Sequence, residues 1–322
     1  MSKIRCAVIG VGYLGRFHAQ KYKQLPNAEL VAVCDLNQSV CQAVSSELQV
    51  PGFLDFYELF GKVDAVSIAA TTNKHYEIAA LCLEKGIHVL IEKPITETVV
   101  QAEHLIHLAK HHQVKLQVGH LERFNAARLA LEDYLEKPLF IESGRLAPFN
   151  PRGTDVNVIL DLMIHDIDMI QNMVRCPIVS IAAQGSPILT KAIDIANARI
   201  TFTNHCVANI TASRISYKTE RKTRIFQKNS YISIDFQNKQ FAVFKKGDQE
   251  IFPGIPNILQ DQKFFEQGDA LLEEIKAFLV CIENDSLPLV TGKEGRDALE
   301  TAERITALIH TNLSEHHAHH SM

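Results

Sequence analysis

A glycine-rich turn held between a strand and a helix constrains this chain more than any other feature. Lys3–Ile9 reads as a buried strand, Gly10-Val-Gly-Tyr-Leu-Gly15 follows, and a helical pattern then runs towards Leu25. Leu30–Cys34 is a second strand that ends in Asp35, about 20 residues beyond the third glycine. In that order, strand–turn–helix–strand–acid, the pattern specifies a βαβ unit that binds a dinucleotide. Gly10 permits the tight turn, Gly12 lets backbone approach a pyrophosphate, and Gly15 allows close helix–strand packing. The helix start at Tyr13 and Leu14 adds oriented N–H donors for the phosphate charge. Asp35 would accept hydrogen bonds from a ribose diol and repel a 2′-phosphate, and Leu36-Asn37 supplies no compensating cation. NAD is therefore expected rather than NADP. FAD is the runner-up, without a second flavin signature.

The pattern continues in the same style. Asn37–Leu48 is helical, Ala65–Ala69 a third core strand, Tyr76–Lys85 a helix closed by Gly86, and His88–Ile91 a fourth strand. Thr98–His111 is again helical and Lys115–Val118 is a fifth strand. Short apolar strands alternating with helices predict a doubly wound parallel sheet. Beyond about residue 120 the texture changes. A helix over Phe124–Leu135, a strand over Phe140–Arg145 and a helix over 161–174 precede six strand-like runs. These are Val179–Gln184, Asn197–Thr203, Cys206–Ser213, Thr223–Phe226, Tyr231–Asp235 and Phe241–Phe244. They predict a mostly antiparallel sheet, after which helices resume at Asp269–Glu283 and Glu294–Leu313. The expected division is 1–120 for cofactor binding and 121–322 for an α+β domain carrying substrate and subunit contacts.

Composition narrows the class. With 322 residues, 46% hydrophobic, the chain can bury two sizeable cores. A net charge of −4 gives no electrostatic case for nucleic acid or an anionic membrane. Seven scattered cysteines without a C-x-x-C pair suit reduced thiols, and no apolar run is long enough to span a bilayer. A cytoplasmic enzyme is expected, with no metal. The Glu315–His320 run reads as a frayed terminus that would bind metal only adventitiously.

The chemistry of the second half is concentrated in Asp161-Leu-Met-Ile-His165-Asp-Ile-Asp168. On a helix, Asp161, His165 and Asp168 fall on one face, surrounded by Ile159, Leu160, Leu162, Met163, Ile164 and Ile167. A histidine one turn from carboxylates is a proton-transfer group at neutral pH. A satisfied core network is the competing reading.

Glu92-Lys93-Pro94 joins these residues to a known pattern. Together with Gly10–Gly15 followed by His18, Ala70-Thr-Thr-Asn73 with His75, and the Asp161/His165/Asp168 stripe, it makes the chain resemble the Gfo/Idh/MocA oxidoreductases over essentially its full length. The resemblance implies an N-terminal Rossmann domain and a C-terminal α+β domain with a large open sheet. It also implies oxidation of a sugar or cyclitol hydroxyl and a cis Lys93–Pro94 bond. Thr71, Asn73, His75, Glu92 and Lys93 are expected to line the cofactor crevice. Lys93, His165 and Asp161 form the expected catalytic set, which also contacts substrate. Either Lys93 donates to a developing alkoxide while His165 takes the proton, or Lys93 is itself the base. Asp168 is as consistent with a structural role as with a catalytic one, and His18 reads as a packing residue.

A narrower resemblance comes from Val118-Gly-His-Leu-Glu-Arg-Phe-Asn125, Thr211-Ala-Ser-Arg214, Glu220-Arg-Lys-Thr-Arg224 and Ile234-Asp235. It points to members that oxidise the 3-hydroxyl of UDP-N-acetylglucosamine, so that an aminotransferase can install nitrogen on the way to lipid A. An inositol or free-sugar dehydrogenase and a non-catalytic NAD(H)-responsive protein are the alternatives. Arginine suits a diphosphate. Among Arg123, Arg145, Arg152, Arg214, Arg221 and Arg224, Arg123 is the expected substrate contact. The Pro148–Gly153 loop is expected to shape the pocket, and Asp155-Val-Asn-Val-Ile159 replaces the glycine-rich run often found there in the family. The open sheet implies a homodimer or homotetramer.

Overall fold

Strands buried on both faces build the first half of the computed structural model, which describes residues 3–150, 156–265 and 268–320. The chain forms two compact units, 1–124 with 269–299 and 125–268 with 300–322. In the first unit the elements are β1 (Ile4–Ile9), α1 (Tyr13–Gln24), β2 (Ala28–Cys34), α2 (Gln38–Leu48), β3 (Gly52–Phe53), β4 (Ala65–Ile68), α3 (Thr72–Glu84), β5 (His88–Glu92), α4 (Val99–His111) and β6 (Leu116–Gly119). They make an all-parallel sheet in the order β3-β2-β1-β4-β5-β6. The order reverses between β1 and β4, where ligands bind outside the carboxyl ends of such sheets. Side-chain caps start the helices where the sequence allows. Asn37 Oδ1 accepts the Val40 N–H at 3.2 Å, and Thr98 forms a capping box with Gln101. The sixth strand, β3, escaped the sequence pattern because two residues show no periodicity.

The expected cut at residue 120 differs from the observed division. A helix from far along the chain, α7 (Ala270–Glu283), belongs to the first unit. Its apolar stripe of Leu271, Ile275, Phe278 and Leu279 is buried in the same core as Val8, Tyr22, Leu30 and Val33. The stripe recurs at helical spacing, so it needs an apolar surface, and α1 with its sheet provides one. The segment after α7 adds backbone pairing, Val118 N–H donating to Val290 O at 3.0 Å.

The second unit contains α5 (Ala126–Leu129), β7 (Phe140–Leu146), α6 (Ile164–Val174), β8 (Ile178–Ser186), β9 (Ile195–Phe202), β10 (Val207–Ser213), β11 (Glu220–Phe226), β12 (Ser230–Asp235), β13 (Gln240–Phe252) and β14 (Ile255–Phe264). Its eight strands run β14-β13-β12-β11-β7-β10-β9-β8, all neighbours antiparallel except β7 and β10. Strict alternation buries Ile141, Ala208, Ile210, Ala212, Ile225, Ile232 and Ile234 on one face. The last helix, α8 (Gly292–His320), begins in the first unit and ends in the second.

Three expectations need correcting here. The helix predicted over Phe124–Leu135 is a 3-10 turn, Leu121–Phe124, then the single turn of α5. Asn125 restarts the chain by accepting the Ala127 N–H at 3.0 Å. The strand predicted over Phe241–Phe244 is the long β13, paired with an unforeseen β14 around Gly254 (φ 79°). The outer part of this ribbon is exposed on both faces, so it carries no alternation to read. Finally, α8 continues as helix to His320 instead of fraying; its side chains from 316 onward lie outside the described residues.

The position of α7 predicts a measurable cost. Phe278→Ala should destabilise the first unit by about 3–5 kcal/mol, the range for a buried phenylalanine. Hydrogen exchange at β1 and β2 amides reads this directly; a change below about 1 kcal/mol would contradict the shared core.

Candidate active site

The first unit carries a crevice of about 550 Å³ at the topological switch, lined by Gly10, Gly12, Asp35, Leu36, Tyr57 and Thr71 among others. Gly10 has φ 82°, and a Cβ there would lie 2.5 Å from the Ala70 nitrogen. A Cβ on Gly15 would overlap the Gly10 carbonyl oxygen. At Gly12 the same construction meets nothing within 4 Å, so the space beside it is open to a ligand. Gly12 is also the residue before α1 and offers no side chain to cap the first-turn N–H groups. Asp35 is held by two backbone donors, Val11 N–H at 2.9 Å to Oδ2 and Asn37 N–H at 2.8 Å to Oδ1. Each oxygen keeps further acceptor capacity for a ribose diol. Open backbone at Gly12, uncapped donors and a fixed carboxylate fit NAD. Thr71 caps no N–H of α3; its hydroxyl donates to Asn73 Oδ1 at 2.7 Å. Tyr13 is largely exposed, its ring edge-on to Phe17.

Lys93 follows β5, half-buried, and its bond to Pro94 is cis, as the resemblance implied. Two residues expected to line the crevice sit behind it instead. His75 is buried, with Nδ1 2.9 Å from Pro94 O and Nε2 3.0 Å from Ala70 O. Burial pushes its pKa down, against the pull of both carbonyls. The imidazole ties the Lys93–Pro94 turn to the Ala70 backbone against which Gly10 packs. Glu92 is also buried, with Oε1 3.0 Å from His18 Nε2 and Oε2 accepting the Lys93 N–H at 3.3 Å. His18, read as a packing residue, is fully buried; its Nδ1 lies 3.2 Å from Ser67 Oγ.

In the second unit, the stripe helix opens with a wide π turn, Ile159–Met163, before α6. Asn157 Oδ1 accepts the N–H groups of Ile159 and Leu160 at 3.1 and 2.9 Å, fixing where it begins. The wide turn changes the phase between Asp161 and the rest of the stripe. Asp161 and His165 remain half-buried and reach solvent, whereas Asp168 is 1% exposed. Of the three stripe residues, Asp168 is the one that is buried. A neighbour that sequence reasoning passed over, Asp166, is buried against Arg145 Nε at 2.8 Å and Ser143 Oγ at 2.8 Å. This ion pair joins α6 to β7 and sets the rotation of the helix that carries His165.

The arginines divide differently from expectation. Arg123 is 5% exposed and paired with Glu294 at 3.2 Å, so its guanidinium is engaged within the protein. Arg145 is the Asp166 partner, and Arg224 pairs with Glu142 at 3.2 Å. Arg214 is buried between Asp194 and the carbonyls of Val156 and Ile193. Burial alone would raise the Asp194 pKa, but N–H groups of Thr190, Ile188 and Leu189 and the Thr190 hydroxyl hold it at about 2. Arg221 remains exposed. Arg152, Asp155 and the end of the Pro148–Gly153 loop lie outside the described residues. Sequence reading also missed Leu54, Phe56 and Tyr57, which follow β3 into the crevice. The aromatic run Phe53, Phe56, Tyr57, Phe60 was the available signal.

No helix among the described residues is long and apolar enough to cross a membrane. The profile of an oxidoreductase family with an NAD-binding Rossmann fold matches residues 4–120, and that of the GFO/IDH/MocA C-terminal domain matches residues 142–232. The UDP-N-acetylglucosamine 3-dehydrogenase of Acidithiobacillus ferrooxidans is 36% identical over 310 residues, covering 96% of this chain and 98% of that protein. A solved structure of that enzyme superposes with a TM-score of 0.90 at 35% identity, over 96% of this chain and 98% of the other. The myo-inositol 2-dehydrogenase of Thermotoga maritima is more distant, 27% identical over 92% of this chain and 93% of its own. Crevice, fold and both halves of the sequence agree: the chain belongs to the Gfo/Idh/MocA family of NAD-binding oxidoreductases.

Proposed function

We propose that this enzyme oxidises a secondary hydroxyl of a nucleotide sugar with NAD, specifically the 3-hydroxyl of UDP-N-acetylglucosamine. The observation that carries the reading is the 36% identity to an enzyme named for that reaction, over nearly all of both chains. The greater distance of the inositol dehydrogenase weighs against a cyclitol.

Gly10, Gly12, the start of α1 at Tyr13, Leu14 and Gly15, Asp35 and Thr71 hold the cofactor in this reading, with Asn73 bracing Thr71. Bound there, NAD would supply the acceptor for the hydride that leaves the carbinol carbon. Lys93 donates a hydrogen bond to the hydroxyl oxygen and stabilises the negative charge that develops there. His165 takes the hydroxyl proton, and Asp161 orients its imidazole or accepts from a substrate hydroxyl. The opposite assignment, Lys93 as base, requires its pKa to be lowered by burial or a nearby cation. In this reading the 3-keto product suits an aminotransferase that makes a 2,3-diamino sugar for lipid A, and the enzyme works in the cytoplasm. A second copy of the chain, in a homodimer or homotetramer, covers the half-exposed face of the eight-stranded sheet.

Purified enzyme should reduce NAD with UDP-N-acetylglucosamine faster than with myo-inositol, followed at the NADH absorbance. Faster turnover of myo-inositol would reverse the substrate assignment, and tight NAD binding without turnover of any sugar would favour a regulatory protein. His165→Ala should lower kcat by about 10²–10⁴ and remove the fall in rate on the acid side, where a base is lost to protonation. Lys93→Met should remove the alkaline fall, where a donor is lost to deprotonation; exchanged outcomes would make Lys93 the base. Asp35→Ala should raise the NAD Kd by about 10- to 100-fold, the cost of charged hydrogen bonds, and narrow the preference over NADP. A titration of each cofactor against protein fluorescence measures both effects.

A further inference from the structure

Behind the Lys93 turn, three ionisable side chains from distant parts of the first unit meet in the core. His18 of α1, Glu92 of β5 and Glu274 of α7 bring one nitrogen and two carboxylate oxygens within 4.8 Å of one another. Glu274 is 0% exposed, and neither of its oxygens has a hydrogen-bond partner among the described atoms. It occupies the apolar stripe of α7, between Leu271, Ile275 and Phe278. A carboxylate in that position would carry an uncompensated buried charge, which no fold tolerates cheaply.

One consistent assignment of donors and acceptors around Glu92 starts from Tyr22. Tyr22 is buried with its hydroxyl 2.8 Å from Ser67 Oγ, and burial pushes the phenol pKa well up, so it remains a donor. With Tyr22 donating to Ser67, the Ser67 hydroxyl is left to donate to His18 Nδ1, 3.2 Å away. In that arrangement His18 Nδ1 accepts, and Nε2 donates to Glu92 Oε1 at 3.0 Å. Glu92 is thus the terminal acceptor, a carboxylate whose other oxygen receives the Lys93 N–H. Gly119 leaves the room it needs, since a Cβ there would stand 2.9 Å from the Glu92 carboxylate. No proton from this chain of donors reaches Glu274.

We propose that Glu274 is a neutral carboxylic acid in the native protein and a positioning residue for Lys93, its own proton facing the Glu92 carboxylate. The neutral acid keeps a second buried charge away from the Glu92 carboxylate, within 4.8 Å of it, and Glu92 accepts the backbone N–H of Lys93. The direction of its titration agrees: burial first, then the Glu92 charge, push the Glu274 pKa well up. The other ionisable groups on the elements packed against α7 have partners of their own: Arg16 and Lys23 of α1 are held by Glu47 and the Leu48 carbonyl. Lys21 of α1 pairs with Asp269 before the helix, Arg123 in the 3-10 turn pairs with Glu294, and Glu122 and His120 beside it are buried and partnered. Gln117 of β6 spends its amide N–H on the Glu274 backbone oxygen, not on its carboxyl.

This role rests on Lys93 being catalytic, as proposed above, but the protonation state is testable without substrate. Infrared difference spectra of the wild-type protein against Glu274→Gln at neutral pH should show one carbonyl band of a buried carboxylic acid, absent from the variant. Glu274→Leu should lower kcat about 10-fold with the NAD Kd little changed, on the order of losing one buried polar neighbour of Glu92. Glu274→Gln, whose amide can donate as the acid does, should restore it. Absence of the band, a Gln variant as impaired as the Leu variant, or stoichiometric metal in purified protein that is lost in Glu274→Gln would each overturn the proposal. Failure of the sugar assignment alone would leave the band in place.

Discussion

The turn that follows β1 admits no side chain where it meets β4, and the crevice depends on that contact. Gly10 lies against the Ala70 backbone with no space for a Cβ, and Gly15 lies equally close to Gly10. These two approaches draw the start of α1 down onto the ends of β1 and β4, which is what leaves Gly12 facing open space. Asp35 then locks the same turn from the other side, through its bond to the Val11 N–H. Its carboxylate is therefore held in one orientation by two backbone donors, and in the proposed role little reorganisation would remain to be done on binding. His75 extends the same framework by reaching both the Ala70 and Pro94 carbonyls, so cofactor turn and lysine turn share one brace.

The stripe helix is fixed by different means. Its environment is apolar, and apolar packing alone tolerates rotation about the helix axis. Directional bonds remove that freedom. Asp166 is clamped by Arg145 and Ser143 on one side, and Asn157 caps the first turn on the other. Further back, Arg214 grips the Val156 carbonyl while its own charge is balanced by Asp194. Removing one member of such a buried pair costs far more than the pair contributes, because the charge left behind stays buried and unpaired.

Legibility from sequence followed periodicity and spacing. The glycine motif, Asp35, the parallel sheet and the alternating inner strands were all readable, because each has a fixed period or offset. The two-residue β3 and the exposed β13–β14 ribbon were not, since one is too short and the other has no buried face. Burial of polar groups was the harder problem. Glu92 and His75 carry the expected residue types at the expected positions, yet their side chains face inward, and no one-dimensional pattern distinguishes a ligand contact from a brace one layer behind it. Arg123 is the same case: a cation at a domain junction was legible, its partner Glu294, 171 residues away, was not. Glu274 did leave a trace, a carboxylate in phase with Leu271, Ile275 and Phe278 on an otherwise apolar stripe.

The return of α7 to the first unit bears on how the protein is made. Nearly all of the parallel sheet is synthesised by residue 119, but the core that covers β1 and β2 also needs Leu271, Ile275, Phe278 and Leu279. During synthesis the dinucleotide-binding half must wait, with apolar surface uncovered, while the whole eight-stranded sheet is made. Domains usually mature in the order in which they leave the ribosome. In this chain the second unit can finish its sheet before the first closes its core. The interval between those events, rather than the native state, is when an exposed Val33 or Leu30 has access to another chain, and it ends only when α7 arrives.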